Sequence, residues 1–155
     1  MIHEQLYESA NLRAIALAPQ ADLLMANLFR SLGIDQSQIR GQVNVDPPDH
    51  NGPLVLDVNQ MIPVLMILNE LISNSLQHAF PRGQPGSIRV DVLRRNGQLE
   101  LTVVDNGSGF GAELADSKTK ALGVQIVEIL ARQLRGTWEW NRQRGTAFRL
   151  SFPDR

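Results

Sequence analysis

The spacing of apolar residues changes several times along the chain, and each change marks an element. From Pro19 to Leu32, Leu23, Leu24, Leu28 and Leu32 recur at helical spacing, with Pro19 suited to the first turn and Gly33 to the exit. QVNVD (Gln42 to Asp46) and PLVLDV (Pro53 to Val58) read as short strands. Gln60 to Phe80 reads as a second helix, with Pro63 tolerated in its first turn and Pro81 as its stop. SIRVDVLRR and QLELTVVD alternate strictly on either side of Asn96-Gly97, a strong hairpin signal, so they are expected to pair antiparallel. A third helix is expected over Lys120 to Leu134, with Leu122, Ile126, Val127 and Leu130 on one side, and TWEWN and TAFRLSF close the chain as strands around Gly145. The pattern predicts a mixed α+β sandwich with helices on one face of a mostly antiparallel sheet.

Composition narrows the function classes. At 155 residues with 43% hydrophobic content, one domain with a proper core is expected, spanning residues 1–155. The net charge of -1 supplies no basic field for nucleic acid or an anionic membrane, so neither is expected as a partner. With no cysteine, disulfide scaffolds and thiol chemistry are excluded, which suits the cytoplasm. The longest apolar run, Ile62 to Leu68, is far short of the roughly 20 residues of a membrane helix. Residues 1–10 have helical composition but start abruptly, and read as the tail of a helix whose body lies outside the chain.

Candidate chemistry begins in ELISNSLQHAF, Glu70 to Phe80. On a helical wheel Glu70, Ser73, Asn74, Gln77 and His78 share one side, opposite Leu71, Ile72, Leu76 and Ala79. A solvated face is the plain reading, but Ser, Asn and His are mediocre helix formers that gain nothing there. Glu70 and Asn74, one turn apart, can present oxygens to a hard cation such as Mg²⁺, which takes its remaining ligands from water and substrate phosphates.

DNGSGFG, Asp105 to Gly111, follows directly from a strand. It is compatible with a β-turn and, through Gly107, Gly109 and Ala112 with Glu128 further on, with a dinucleotide fingerprint. The fingerprint fails on context, because its strand belongs to an antiparallel hairpin and no crossover helix follows. A third reading makes Asp105 a carboxylate at a strand end that accepts from a donor such as an adenine amino group, with glycines letting backbone come close. The stretch from Gly109 to about Thr119 then acts as a lid. Leu122-Gly123-Val124 and Gly145-Thr146 supply backbone amides and a hydroxyl of the kind that line a nucleotide pocket.

E-x-x-x-N in ELISNSLQHAF, D-x-G-x-G in DNGSGF, LGVQIV and GTAF, in this order, resemble the sequence boxes of the GHKL ATPases over about Met61 to Pro153. They look most like the catalytic domains of two-component sensor histidine kinases, and LNELISNSLQHAFP with the final FRLSFP looks like the HWE-related subgroup. The resemblance implies a two-layer α/β sandwich that binds ATP and Mg²⁺. Asn74 would coordinate Mg²⁺, Glu70 would hold a Mg²⁺-bound water or assist proton transfer, and Asp105 would recognise adenine. Gly107 and Gly109 would shape the pocket, Gly123 would sit at the phosphates with Leu122 and Val124 beside it, and Thr146 after Gly145 would support the adenine end. Gln77 stands where the family usually has a basic residue, and His78 is assigned part of that role.

Kinases of this kind pass the γ-phosphoryl group to a histidine on a neighbouring dimerisation domain, and a response regulator lies downstream. His50 reads as a surface residue, and QLYES beside His3 resembles the join between dimerisation and catalytic domains. The resemblance therefore implies a catalytic part cut after its acceptor helices. The alternatives are a GHKL ATPase, an anti-sigma-type serine kinase, or a pseudokinase that only binds partners, which Gln77 alone supports.

Overall fold

The computed structural model describes residues 15–46, 53–81, 84–107 and 118–154, with the side chains of 118–121 excepted. In chain order the elements are β1 (Ile15–Ala16), α1 (Leu17–Ser31), β2 (Ile39–Val45), β3 (Val55–Leu56), α2 (Val58–Asn74) and a π-helical turn (Ser75–Ala79). They continue with β4 (Gly86–Arg95), β5 (Gln98–Asp105), α3 (Lys118–Gln133), β6 (Thr137–Asn141) and β7 (Thr146–Pro153). His3, His50, the 1–10 linker reading, Gly109 and most of the expected lid lie outside the described residues.

The main sheet has the order β2-β4-β5-β7-β6 and is antiparallel except for the parallel β2–β4 pair, as expected of a mixed, mostly antiparallel sheet. The β4–β5 hairpin turns on Asn96 and Gly97, whose φ of 53° and 75° give the left-handed pair that a tight two-residue hairpin turn demands. β1 and β3 form a separate two-stranded pair, of which the sequence pattern signals β3 but neither β1 nor the pairing.

One face of the sheet carries the core. Val90 and Val92 of β4, Leu99, Leu101 and Val103 of β5, and Phe148, Leu150 and Phe152 of β7 are buried, in alternation with more exposed neighbours. They meet Val64, Ile67, Leu68, Leu71 and Ile72 of α2 and Val127, Leu130 and Ala131 of α3 in one hydrophobic cluster. This is the two-layer sandwich with its helices on one face. Among the described residues no helix is long and apolar enough to cross a membrane.

Several boundaries differ from the pattern. α1 buries Leu17, Ala21, Met25 and Phe29, and leaves Leu23 57% exposed, so the leucine-rich side lies at the rim of the core. Met25 and Phe29 reach under the sheet edge at Gly41, and that contact outweighs the leucine spacing. The expected 53–58 strand shrinks to two residues because Asp57 caps α2, its carboxylate accepting from the Gln60 N–H at 2.9 Å. Leu122 is 57% exposed rather than on the packed side of α3.

Candidate functional site

α2 arrives at the middle of the sheet and changes winding there. After Asn74 the helix widens into the Ser75–Ala79 π turn, a local expansion that recurs at functional sites. Along this segment Asn74 and Ser75 are buried, Glu70, Ser73 and His78 are half-buried, and Gln77 is exposed. The expected polar line therefore runs from a buried Asn74 to an exposed Gln77.

Asp105, at the end of the central strand β5, is 2% exposed. Its Oδ1 accepts from the backbone N–H groups of Gly107 at 3.1 Å and Thr146 at 3.2 Å, and its Oδ2 accepts from the Ser75 hydroxyl at 2.7 Å. A carboxylate has room for about four such bonds, so Oδ2 keeps acceptor capacity. Beside it, Thr146 is buried and its Oγ1 has no partner among the described residues.

Backbone closes tightly around this carboxylate. A Cβ on Gly107 would lie 2.2 Å from the Ala79 carbonyl oxygen, so the loop leaving β5 rests on the end of the π turn. Gly145, with φ +77°, would place a Cβ 2.1 Å from the Asp105 carbonyl oxygen. Neither position has room for a side chain.

A second group of polar atoms gathers next to the first. A Cβ on Gly123 of α3 would stand 2.9 Å from Asn74 Nδ2 and 3.4 Å from Glu70 Oε2, so all three residues meet where α2 and α3 cross. Asn74 and Ser75 are chain neighbours and link the groups. Among the described residues no three His, Cys, Asp or Glu side chains gather around one point. A divalent cation held here would take most of its ligands from water and substrate, which is the habit of Mg²⁺.

Of the remaining candidates, Val124 is half-buried and Leu122 faces solvent. Glu128 is occupied elsewhere, its Oε2 accepting from the indole N–H groups of Trp138 and Trp140 at 3.2 and 3.1 Å. Ser75 was missed by sequence reasoning. Its only signal is a second small polar residue directly after Asn74, which a regular wheel places outside the polar line.

The chain resembles proteins of known class. It is 33% identical to the sensor histidine kinase PdtaS of Mycobacterium tuberculosis over 103 residues, covering 64% of this chain and 21% of that protein. To PdtaS of Mycolicibacterium smegmatis it is 29% identical over 138 residues, covering 82% of this chain and 28% of that one. The chain thus spans about a quarter of these curated relatives. Among solved structures, the histidine kinase domain of the Erythrobacter litoralis EL346 blue-light activated histidine kinase matches with a TM-score of 0.75 at 24% identity, over 90% of this chain and 61% of that one. The mycobacterial sensor histidine kinase MprB matches with a TM-score of 0.65 at 19% identity, over 92% of this chain and 97% of that one. These two similarities speak to fold. The sequence profile of the histidine kinase-, DNA gyrase B- and HSP90-like ATPases matches residues 60–155, from the first turn of α2 to the end of the chain, and the chain belongs to that family.

Proposed function

We propose that the chain binds Mg-ATP and, as the catalytic part of a cytoplasmic sensor histidine kinase, donates the γ-phosphoryl group to a histidine on a dimerisation domain outside residues 1–155. The observation that carries this reading is the pairing of Asp105, a buried carboxylate with spare acceptor capacity, with Thr146, whose buried Oγ1 lacks a partner among the described residues. Buried polar atoms are rarely left unmatched, so a site that keeps one beside a carboxylate suits a flat polar ligand such as adenine.

ATP supplies the activated phosphoryl group and Mg²⁺ the charge that neutralises it. The chain's own residues do the positioning, the larger part of catalysis in phosphoryl transfer. Asp105 accepts from an exocyclic amino group and selects for the base, with Ser75 and the Gly107 and Thr146 amides fixing the carboxylate's orientation. Asn74 supplies an oxygen to the metal. Glu70, on the same side of Gly123, orients a water or takes up a proton. Gly123, lacking a side chain, lets Asn74 and Glu70 come close to α3 where phosphate would lie, and Gln77, neutral and exposed, provides no charge there.

The test is a two-part titration. The isolated chain is expected to bind Mg-ATP in calorimetry and to incorporate almost no phosphate alone. Adding the dimerisation helices of its own kinase in trans is expected to yield acid-labile phosphohistidine on them. Rapid ATP hydrolysis without any acceptor would favour an ATPase, and stable phosphate on the chain that is lost in His3→Ala would move the acceptor into this chain.

A further inference from the structure

β2 is the edge of the main sheet, and its bonding to β4 shows which of its groups point outward. Gln38 carbonyl accepts from Gly86 and the Asp46 N–H donates to Val92, so the even-numbered residues face β4. In a strand the N–H and C=O groups alternate sides with the residue. The N–H and C=O groups of Gly41, Val43 and Val45 therefore project from the open edge, and among the described residues β2 pairs with β4 only.

Side chains alternate independently on the two faces. Gly41, Val43 and Val45 face the helical layer, and beneath Gly41 a groove of about 490 Å³ runs between β2 and α1, with Met25 and Phe29 on its floor. Arg40, Gln42, Asn44 and Asp46 lie on the opposite, exposed face. Neither Arg40 nor Asp46 makes an ion pair among the described residues.

The geometry points to a second copy of this chain as the occupant of this edge, joined by antiparallel β2–β2 pairing about a two-fold axis at Val43. In that register Val43 faces the partner's Val43, and Gly41 faces the partner's Val45, whose side chain drops into the groove over Met25 and Phe29. On the other face Arg40 lies opposite the partner's Asp46, and Gln42 opposite the partner's Asn44. All three projecting residues would sit in hydrogen-bonded pairs, and the two five-stranded sheets become one. A register centred on Gln42 is also open to the backbone. It would set Arg40 against the partner's Asn44 and leave Asp46 without a cation, so charge selects the Val43 centre. The exposed ion pairs define register rather than supply much affinity, and one strand edge is a small contact, so the association is in the micromolar range. It leaves Asp105, Asn74 and Gly123 free and does not depend on the proposed activity.

Sedimentation velocity of the intact chain across micromolar concentrations tests it, with far-UV circular dichroism and the melting temperature as controls for folding. The wild type is expected to show a monomer–dimer equilibrium. Arg40→Asp or Asp46→Arg places like charges opposite each other twice, and each is expected to weaken the dimer by roughly tenfold or more. The double variant Arg40→Asp/Asp46→Arg is expected to restore it. Val43→Pro removes an edge N–H that β4 does not use, and is expected to abolish the dimer while the ladder survives. A wild type that stays monomeric, a dimer indifferent to Arg40→Asp, or a charge swap that restores nothing would each overturn the proposal.

Discussion

The Ser75 hydroxyl donates to Asp105 Oδ2 at 2.7 Å, tying the first residue of a π turn to the last residue of the central strand. Both residues are buried, so the bond is sheltered from competing water. It couples the winding of α2 to the orientation of the carboxylate read above as the adenine acceptor.

Ser75→Ala should therefore do two things at once. Removing the donor leaves one oxygen of a buried carboxylate short of a partner, which costs about 1–3 kcal/mol of stability. The carboxylate is also left with two of its three anchors, both on Oδ1, so ATP affinity should fall. Thermal melting and calorimetry check the two arms, and a loss of stability with full ATP affinity would confine Ser75 to a structural role.

Asp105→Asn keeps an acceptor for the Gly107 and Thr146 amides, and the Ser75 hydroxyl can rotate to accept from the new amide. The fold should survive, while the bond to an amino donor loses its charge, a change that roughly halves such a bond's strength. ATP binding should weaken more than GTP binding, since guanine has no amino group at that position. Equal losses for both nucleotides would show that Asp105 only holds the loops together.

Asn74→Ala removes the amide that meets Glu70 and Gly123 at the crossing of α2 and α3. Asn74 is 7% exposed, so a stability cost on the order of 1 kcal/mol accompanies the change. Mg²⁺-dependent ATP binding should be lost well beyond that cost. Titrations with and without Mg²⁺ decide it, and an unchanged Mg²⁺ dependence would remove Asn74 from the metal.

Gly123→Ala brings a methyl group to 2.9 Å from Asn74 Nδ2, the end of a side chain that can swing aside. Alanine also suits a helix better by about 1 kcal/mol, so the melting temperature should hold or rise. ATP affinity should drop because Asn74 is displaced and the space beside it filled. A crystal structure with Asn74 unmoved and affinity intact would contradict the assignment.

Sequence alone determined the features whose cause is local. Asn96-Gly97 specified the hairpin because only residues tolerant of positive φ close so short a turn, and the observed angles agree. Strict alternation set the core face of β4, β5 and β7, and the order of polar and glycine motifs led to the ATPase family that the profile match establishes. Tertiary structure decided what depends on distant partners. Which stripe of α1 is buried follows from Met25 and Phe29 reaching Gly41, not from leucine spacing within the helix. The parallel pairing of β2 with β4 joins strands far apart in sequence, and no local signal encodes it. The π turn is the sharpest case: a periodicity reading assumes one constant winding, whereas the helix widens where it meets Asp105 and Gly107 at the sheet, a contact with residues distant in sequence that no local pattern encodes.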